Sequence, residues 1–101
     1  MYTFTHNIED KEVKCVLGGH LDTMAAKTMA NDIQPLLDNA DKKITIDCST
    51  LEFISSSGLR LLLAIRKETI AKGGDVVILG LSDVIKKVFV ITGFSGFFTF
   101  A

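Results

Sequence analysis

Phe53-Ile54-Ser55-Ser56-Ser57-Gly58-Leu59 decides how this chain is read, because three consecutive serines stand where an apolar strand gives way to a very apolar helix. A helix N-terminus carries unpaired N–H groups and a partial positive charge. A serine hydroxyl placed there is exposed, locally hydrogen-bonded and able to carry a phosphate without unfolding the helix behind it. Serine also meets a plainer need. As a preferred N-cap, Ser55 contributes ~1 kcal/mol by accepting a hydrogen bond from the N–H of Ser57 or Gly58.

Reading outward, Ile44, Ile46 and Cys48 alternate with Thr45 and Asp47, which predicts a strand entered through Asp41-Lys42-Lys43. From Leu59 to Lys72 the pattern is helical. Leu59, Leu61, Leu62, Leu63, Ala64 and Ile65 are apolar nearly all round, and Arg66, Lys67, Glu68 and Lys72 mark a wet C-terminal half. Gly73-Gly74 ends that helix, and Val76-Val77-Ile78-Leu79 reads as a continuous apolar strand of the kind covered on both faces. Ser82 caps a last helix carrying Val84, Ile85, Val88 and Phe89, stopped by Gly93, and Phe97-Phe98-Thr99-Phe100 reads as a short closing strand. At the other end, Tyr2, Phe4 and His6 alternate with Thr3 and Thr5, and Val13, Cys15 and Leu17 alternate with Lys14 and Val16, so the chain opens on a hairpin. Between hairpin and third strand, Ala26, Met29, Ala30, Ile33, Leu36 and Leu37 form a helical stripe with Asp22 or Thr23 as its N-cap. Pro35 falls inside that stripe and cannot donate to the carbonyl of Asn31, so a kink or an early end is expected.

The order is thus β-β-α-β-α-β-α-β, an α/β fold with a mixed, mainly parallel sheet and right-handed crossovers. At 101 residues this is one domain, 1–101, burying roughly 65% of its unfolded-chain surface. Composition narrows the function. The formal net charge of -1 lacks the basic footprint that nucleic-acid binders use, so no nucleic-acid partner is expected. No run approaches the ~18 apolar residues of a membrane span, and Met1-Tyr2-Thr3-Phe4-Thr5-His6 has neither a basic nor an apolar leader region. A cytoplasmic protein with no membrane insertion is the reading. Cys15 and Cys48 lie in separate strands without CxxC spacing, which argues against zinc and redox motifs and for two buried small hydrophobes.

Nothing assembles a catalytic constellation. A nucleophilic serine needs a base and an orienting group. His6 sits in the first strand and His20 in the glycine-rich turn after the second, neither near a serine in sequence. The triple serine lacks the Gly-x-Ser-x-Gly elbow, and Gly18-Gly19 is too short for a phosphate-binding loop. No enzyme, metal site or cofactor is expected.

Gly19-His20-Leu21-Asp22, then Ile46-Asp47-Cys48-Ser49-Thr50-Leu51-Glu52 running into the serine segment, then Gly73-Gly74, Leu81-Ser82-Asp83-Val84-Ile85-Lys86-Lys87-Val88-Phe89 and Thr92-Gly93-Phe94 fall in one order over almost the whole chain. This resembles the STAS domain (sulfate transporter and anti-sigma-factor antagonist), and specifically the stand-alone bacterial anti-sigma-factor antagonists. The resemblance implies a regulator whose acceptor serine, Ser56 by position, is phosphorylated by a partner that is both serine kinase and anti-sigma factor. It implies release of that partner on phosphorylation, and a serine phosphatase for resetting. Asp22 matches the family's aspartate beside the phosphosite, and Ser57-Gly58-Leu59 the start of the recognition helix. With Ser55 and Arg60 these form the expected partner surface. Ser55 stands where those antagonists usually carry aspartate, Pro35 makes the first helix atypical, and the chain stops at Ala101 where the family usually continues into a helix. That last departure leaves Phe94, Phe97, Phe98 and Phe100 as an expected self-association end. The alternative function is a STAS adaptor held permanently in a larger assembly, such as a lipid-transport ATPase complex or a stress-sensing particle, with Ser56 part of a helix cap or contact surface.

Overall fold

The computed structural model describes residues Met1–Ala101. Alternation in the first twenty residues produces the expected antiparallel hairpin of β1 (Tyr2–Ile8) and β2 (Glu12–Leu21), with Phe4 opposite Leu17 and His6 opposite Cys15. The stripe after it is broken at Pro35: α1 covers Thr23–Asp32 and α2 restarts at Gln34–Asp38. Proline sits in the first turn of α2, where its missing N–H has no helical partner to lose. Then come β3 (Lys43–Asp47), β4 (Leu51–Ile54), α3 (Ser56–Lys72), β5 (Asp75–Leu79), α4 (Asp83–Ile91), a 3-10 turn (Ser95–Phe97) and β6 (Thr99–Phe100).

Strand β4 and helix α2 extend the anticipated order. The hydrogen-bonded path is β1-β2-β3-β5-β6, with β4 paired to β2. Strand β3 lies parallel to β2 as far as Val16 opposite Asp47, and β4 takes over the same flank from Gly19 opposite Leu51 to Leu21 opposite Ile54. That handover brings the end of β4, and the serines after it, beside the end of β2.

One face of the sheet builds the core. Val13, Cys15, Leu17, Ile44, Ile46, Val76 and Ile78 are all buried beneath Met29, Leu36, Leu59, Leu62, Ile65 and Phe89 from the helices. The opposite face lacks such cover. Val16 is 41% exposed, and Val77 and Leu79 are half-buried, so the expectation that β5 is covered on both faces does not hold. The C-terminal rings also differ from expectation, because an internal cluster takes most of them. Phe98 is buried and meets Phe89 edge-on at 5.7 Å between ring centres, and Phe100 meets Phe89 edge-on at 5.6 Å. Lys86 Nζ lies 5.3 Å from the centre of the Phe100 ring, and Phe97 remains exposed.

Candidate functional site

Parallel strands end together, and the loops that follow them gather at one edge of the sheet. Here β2 ends at Leu21 and β4 at Ile54, and the N–H of Ser55 donates to the carbonyl of Leu21 at 2.8 Å. The two loops that open α1 and α3 are therefore stitched together. Each helix is capped by the residue at its entrance: the Asp22 carboxylate accepts from the N–H of Ala25 at 2.8 Å, and Ser55 Oγ accepts from the N–H of Gly58 at 3.1 Å. Both residues have the extended backbone of an N-cap.

With Ser55 committed to the cap, Ser56 becomes the first residue of α3 and is exposed. Ser57 is half-buried and Arg60 exposed. Gly58 and Leu59 turn inward, and their part in the site is to seat it. A Cβ on Gly58 would lie 2.7 Å from Leu21 Cγ and Cδ2 and 3.1 Å from Ile54 Cγ1. Only glycine lets α3 start that close to both strand ends.

Two features were not legible in the sequence. A groove of about 240 Å³ runs between α1 and α3, lined by Thr23, Ala26, Lys27, Ala30, Ser57 and Leu61. Its signal is the small pair Ala26 and Ala30, which periodicity alone assigns to the core stripe. His20 at the end of β2 is paired in register with Phe53 of β4, and the rings stack with centres 6.4 Å apart. Both are exposed, beside the serine turn. The groups with displaced titration lie in the sheet. Burial pushes the Cys15 and Cys48 thiols up to about 12, and the backbone N–H of Ser49, then its hydroxyl, hold the Asp47 carboxyl below its ordinary range.

What this edge offers is an exposed hydroxyl on a helix N-terminus, in a loop stitched to the one that carries Asp22. Several known proteins are similar to the chain over most of its length. The anti-sigma-B factor antagonist of Staphylococcus aureus is 27% identical over 85 residues, 84% of this chain and 79% of its own length. The anti-sigma factor antagonist SpoIIAA in its unphosphorylated form is 27% identical with a TM-score of 0.79, over 98% of this chain and 88% of that one. SpoIIAA of Bacillus in its phosphorylated form is 26% identical with a TM-score of 0.73, over 98% and 91%. The model of one family, the STAS domain, matches residues 6–101, and the chain belongs to that family.

Proposed function

We propose that this protein is a phosphorylation-controlled antagonist of an anti-sigma factor. It binds a partner that is both anti-sigma factor and serine kinase while Ser56 carries a free hydroxyl, and so frees a sigma factor. It releases that partner once Ser56 is phosphorylated. The observation that carries this reading is the division of labour at the start of α3, where Ser55 caps the helix and leaves Ser56 exposed, in a loop tied to the one that holds Asp22. The likeness to SpoIIAA, known in phosphorylated and unphosphorylated forms, supports it.

The energetics suit a switch without refolding. A phosphate at Ser56 adds roughly -1.5 to -2 charges near pH 7, and the helix N-terminus favours it by ~0.3–1 kcal/mol. The domain stays folded and the partner surface changes. Asp22, Arg60, the exposed side of Ser57 and the groove beside it form that surface, while Ser55, Gly58 and Leu59 hold its shape. A charge forced into an interface shaped for a neutral hydroxyl costs several kcal/mol, and each ~1.4 kcal/mol is tenfold in affinity.

One feature favours the adaptor reading, a STAS subunit held in a larger complex without phosphorylation. Ser55 occupies the position of the antagonists' usual aspartate, so a carboxylate is missing beside the acceptor. Mass spectrometry after incubation with the cognate kinase and ATP separates the two. The switch predicts modification at Ser56 alone. Modification at Ser57 instead, or none by a kinase active on another antagonist, rejects the assignment.

A further inference from the structure

Arg60 is a cation without an anion. It is the only charged residue from Ser56 to Ile65, it is exposed, and it makes no hydrogen bond and no ion pair. Cations further along α3 are engaged. Arg66 donates through Nε to the carbonyl of Phe97 at 2.9 Å and lies 3.5 Å from the Asp75 carboxylate. Lys72 lies 3.5 Å from the Glu68 carboxylate and donates to the carbonyl of Leu37 at 3.0 Å.

Helix geometry decides what Arg60 reaches. Residues three and four positions apart are surface neighbours on an α-helix. For Arg60 these are Ser56, Ser57, Leu63 and Ala64, none of which carries a charge. Helical side chains tilt back towards the N-terminus, so a long one covers the turn before its own Cα. That sets Arg60 over the first turn of α3, where Ser56 is exposed. Ser57 is half-buried and lines the groove with Lys27 of α1.

A phosphate on Ser56 supplies the missing anion. It brings roughly -1.5 to -2 charges and three acceptor oxygens. An anion four residues before a cation is the favourable order along a helix, and the guanidinium fork matches phosphate with two parallel hydrogen bonds. Asp22 in the adjoining loop and Glu52 in β4 carry the phosphate's own sign and hold nothing of it. The competing holders are Lys27 across the groove and the backbone N–H groups of the first turn.

We propose that Arg60 is the positioning residue for the phosphoryl group of Ser56, pairing with it across the first turn of α3. The inference rests on the reading of Ser56 as the acceptor and adds a second change to the same switch. In the unmodified protein Arg60 stands open to a partner. In the phosphorylated protein it is drawn into a pair within its own helix.

Phosphorus NMR tests the pair on the full chain with phosphoserine installed at position 56 during synthesis. No kinase is needed, so a chain that its kinase never modifies fails the switch and leaves this measurement readable. An unpaired phosphoserine has its second ionisation near pH ~6. The parent is expected to titrate about 0.3 to 0.5 pH units below Arg60→Gln, with Lys27→Gln titrating like the parent. The Arg60 Nε–H resonance is expected to move when serine at 56 is replaced by phosphoserine. Equal titration of the parent and Arg60→Gln overturns the proposal and leaves the phosphate to the backbone N–H groups. A lowering kept in Arg60→Gln and lost in Lys27→Gln overturns it in favour of α1, and an unmoved Nε–H resonance also contradicts the pair.

Discussion

Ser55 and Ser56 are chemically identical neighbours set apart by one hydrogen bond, which makes Ser55 the cap. Removing the cap leaves the N–H of Gly58 unpaired at the helix start. Ser55→Ala is therefore expected to lower the unfolding free energy by ~1 kcal/mol, and Ser56→Ala to leave it almost unchanged. Equal losses from the two, measured by urea denaturation, would remove the distinction between the cap and its exposed neighbour. Gly58→Ala places a methyl against the fully buried Leu21. Overpacking of that kind costs ~1–3 kcal/mol, more than the ~1 kcal/mol that alanine returns as the better helix former. A stabilised Gly58→Ala would mean that the strand ends yield more easily than their burial implies. The caps were legible in the sequence because cap chemistry is local: Asp22 and Ser55 announce themselves by type and position. Gly58 was legible only as part of a motif, since its reason is a distance to Leu21, thirty-seven positions away in the chain.

Helices and strands with a long, clean period could be read directly, and the short or doubly constrained ones could not. The hairpin, α3 and α4 follow their patterns to within a few residues. Strand β4 has only four residues, buried at Leu51 and Ile54 and exposed between them, which is no alternation at all. It is a strand because it continues the flank of β2 that β3 leaves. Proline divided one predicted helix into two for a reason visible in advance, although a second helix resuming two residues later was not. The Phe-rich end illustrates the opposite failure. Adjacent Phe97 and Phe98 promised a ring on each side of a strand, but a 3-10 turn covers Ser95–Phe97 and Phe98 folds under α4. Phe89 is the centre of that cluster, so Phe89→Ala is expected to cost ~3–5 kcal/mol, and Phe97→Ala well under 1 kcal/mol. Comparable losses from both would show that the exposed ring carries more packing than its position allows.

In the molecule as a whole, one topological rule sorts the residues. Crossovers in a single direction place the helices on one face and gather their entrances at one edge. No helix is long and apolar enough to cross a membrane. The packed face also encloses two thiols, and at its margin the half-buried Tyr2 hydroxyl donates to Asp32 at 3.0 Å. Burial holds the protons of Cys15 and Cys48 more tightly in the folded state than in the unfolded one, and burial and Asp32 do the same for Tyr2. Their contribution is complete below the ordinary thiol range and is lost as pH rises from about 9 towards 12. The urea midpoint is expected to be lower at pH 10 than at pH 7, with a smaller drop in a Cys15→Ala, Cys48→Ala double variant. An unchanged midpoint in the parent would contradict the burial of these groups.

The proposed switch requires one group to act without refolding, and equilibrium binding measures that directly. The unmodified protein and a preparation stoichiometrically phosphorylated on Ser56 would be titrated calorimetrically into the anti-sigma factor, with the thermal midpoint of each recorded alongside. Phosphorylation is expected to weaken binding by on the order of a hundredfold to ten-thousandfold, or ~3–5 kcal/mol, with little change in the thermal midpoint. Equal affinity of the two forms, or a loss of binding accompanied by unfolding, would contradict the account.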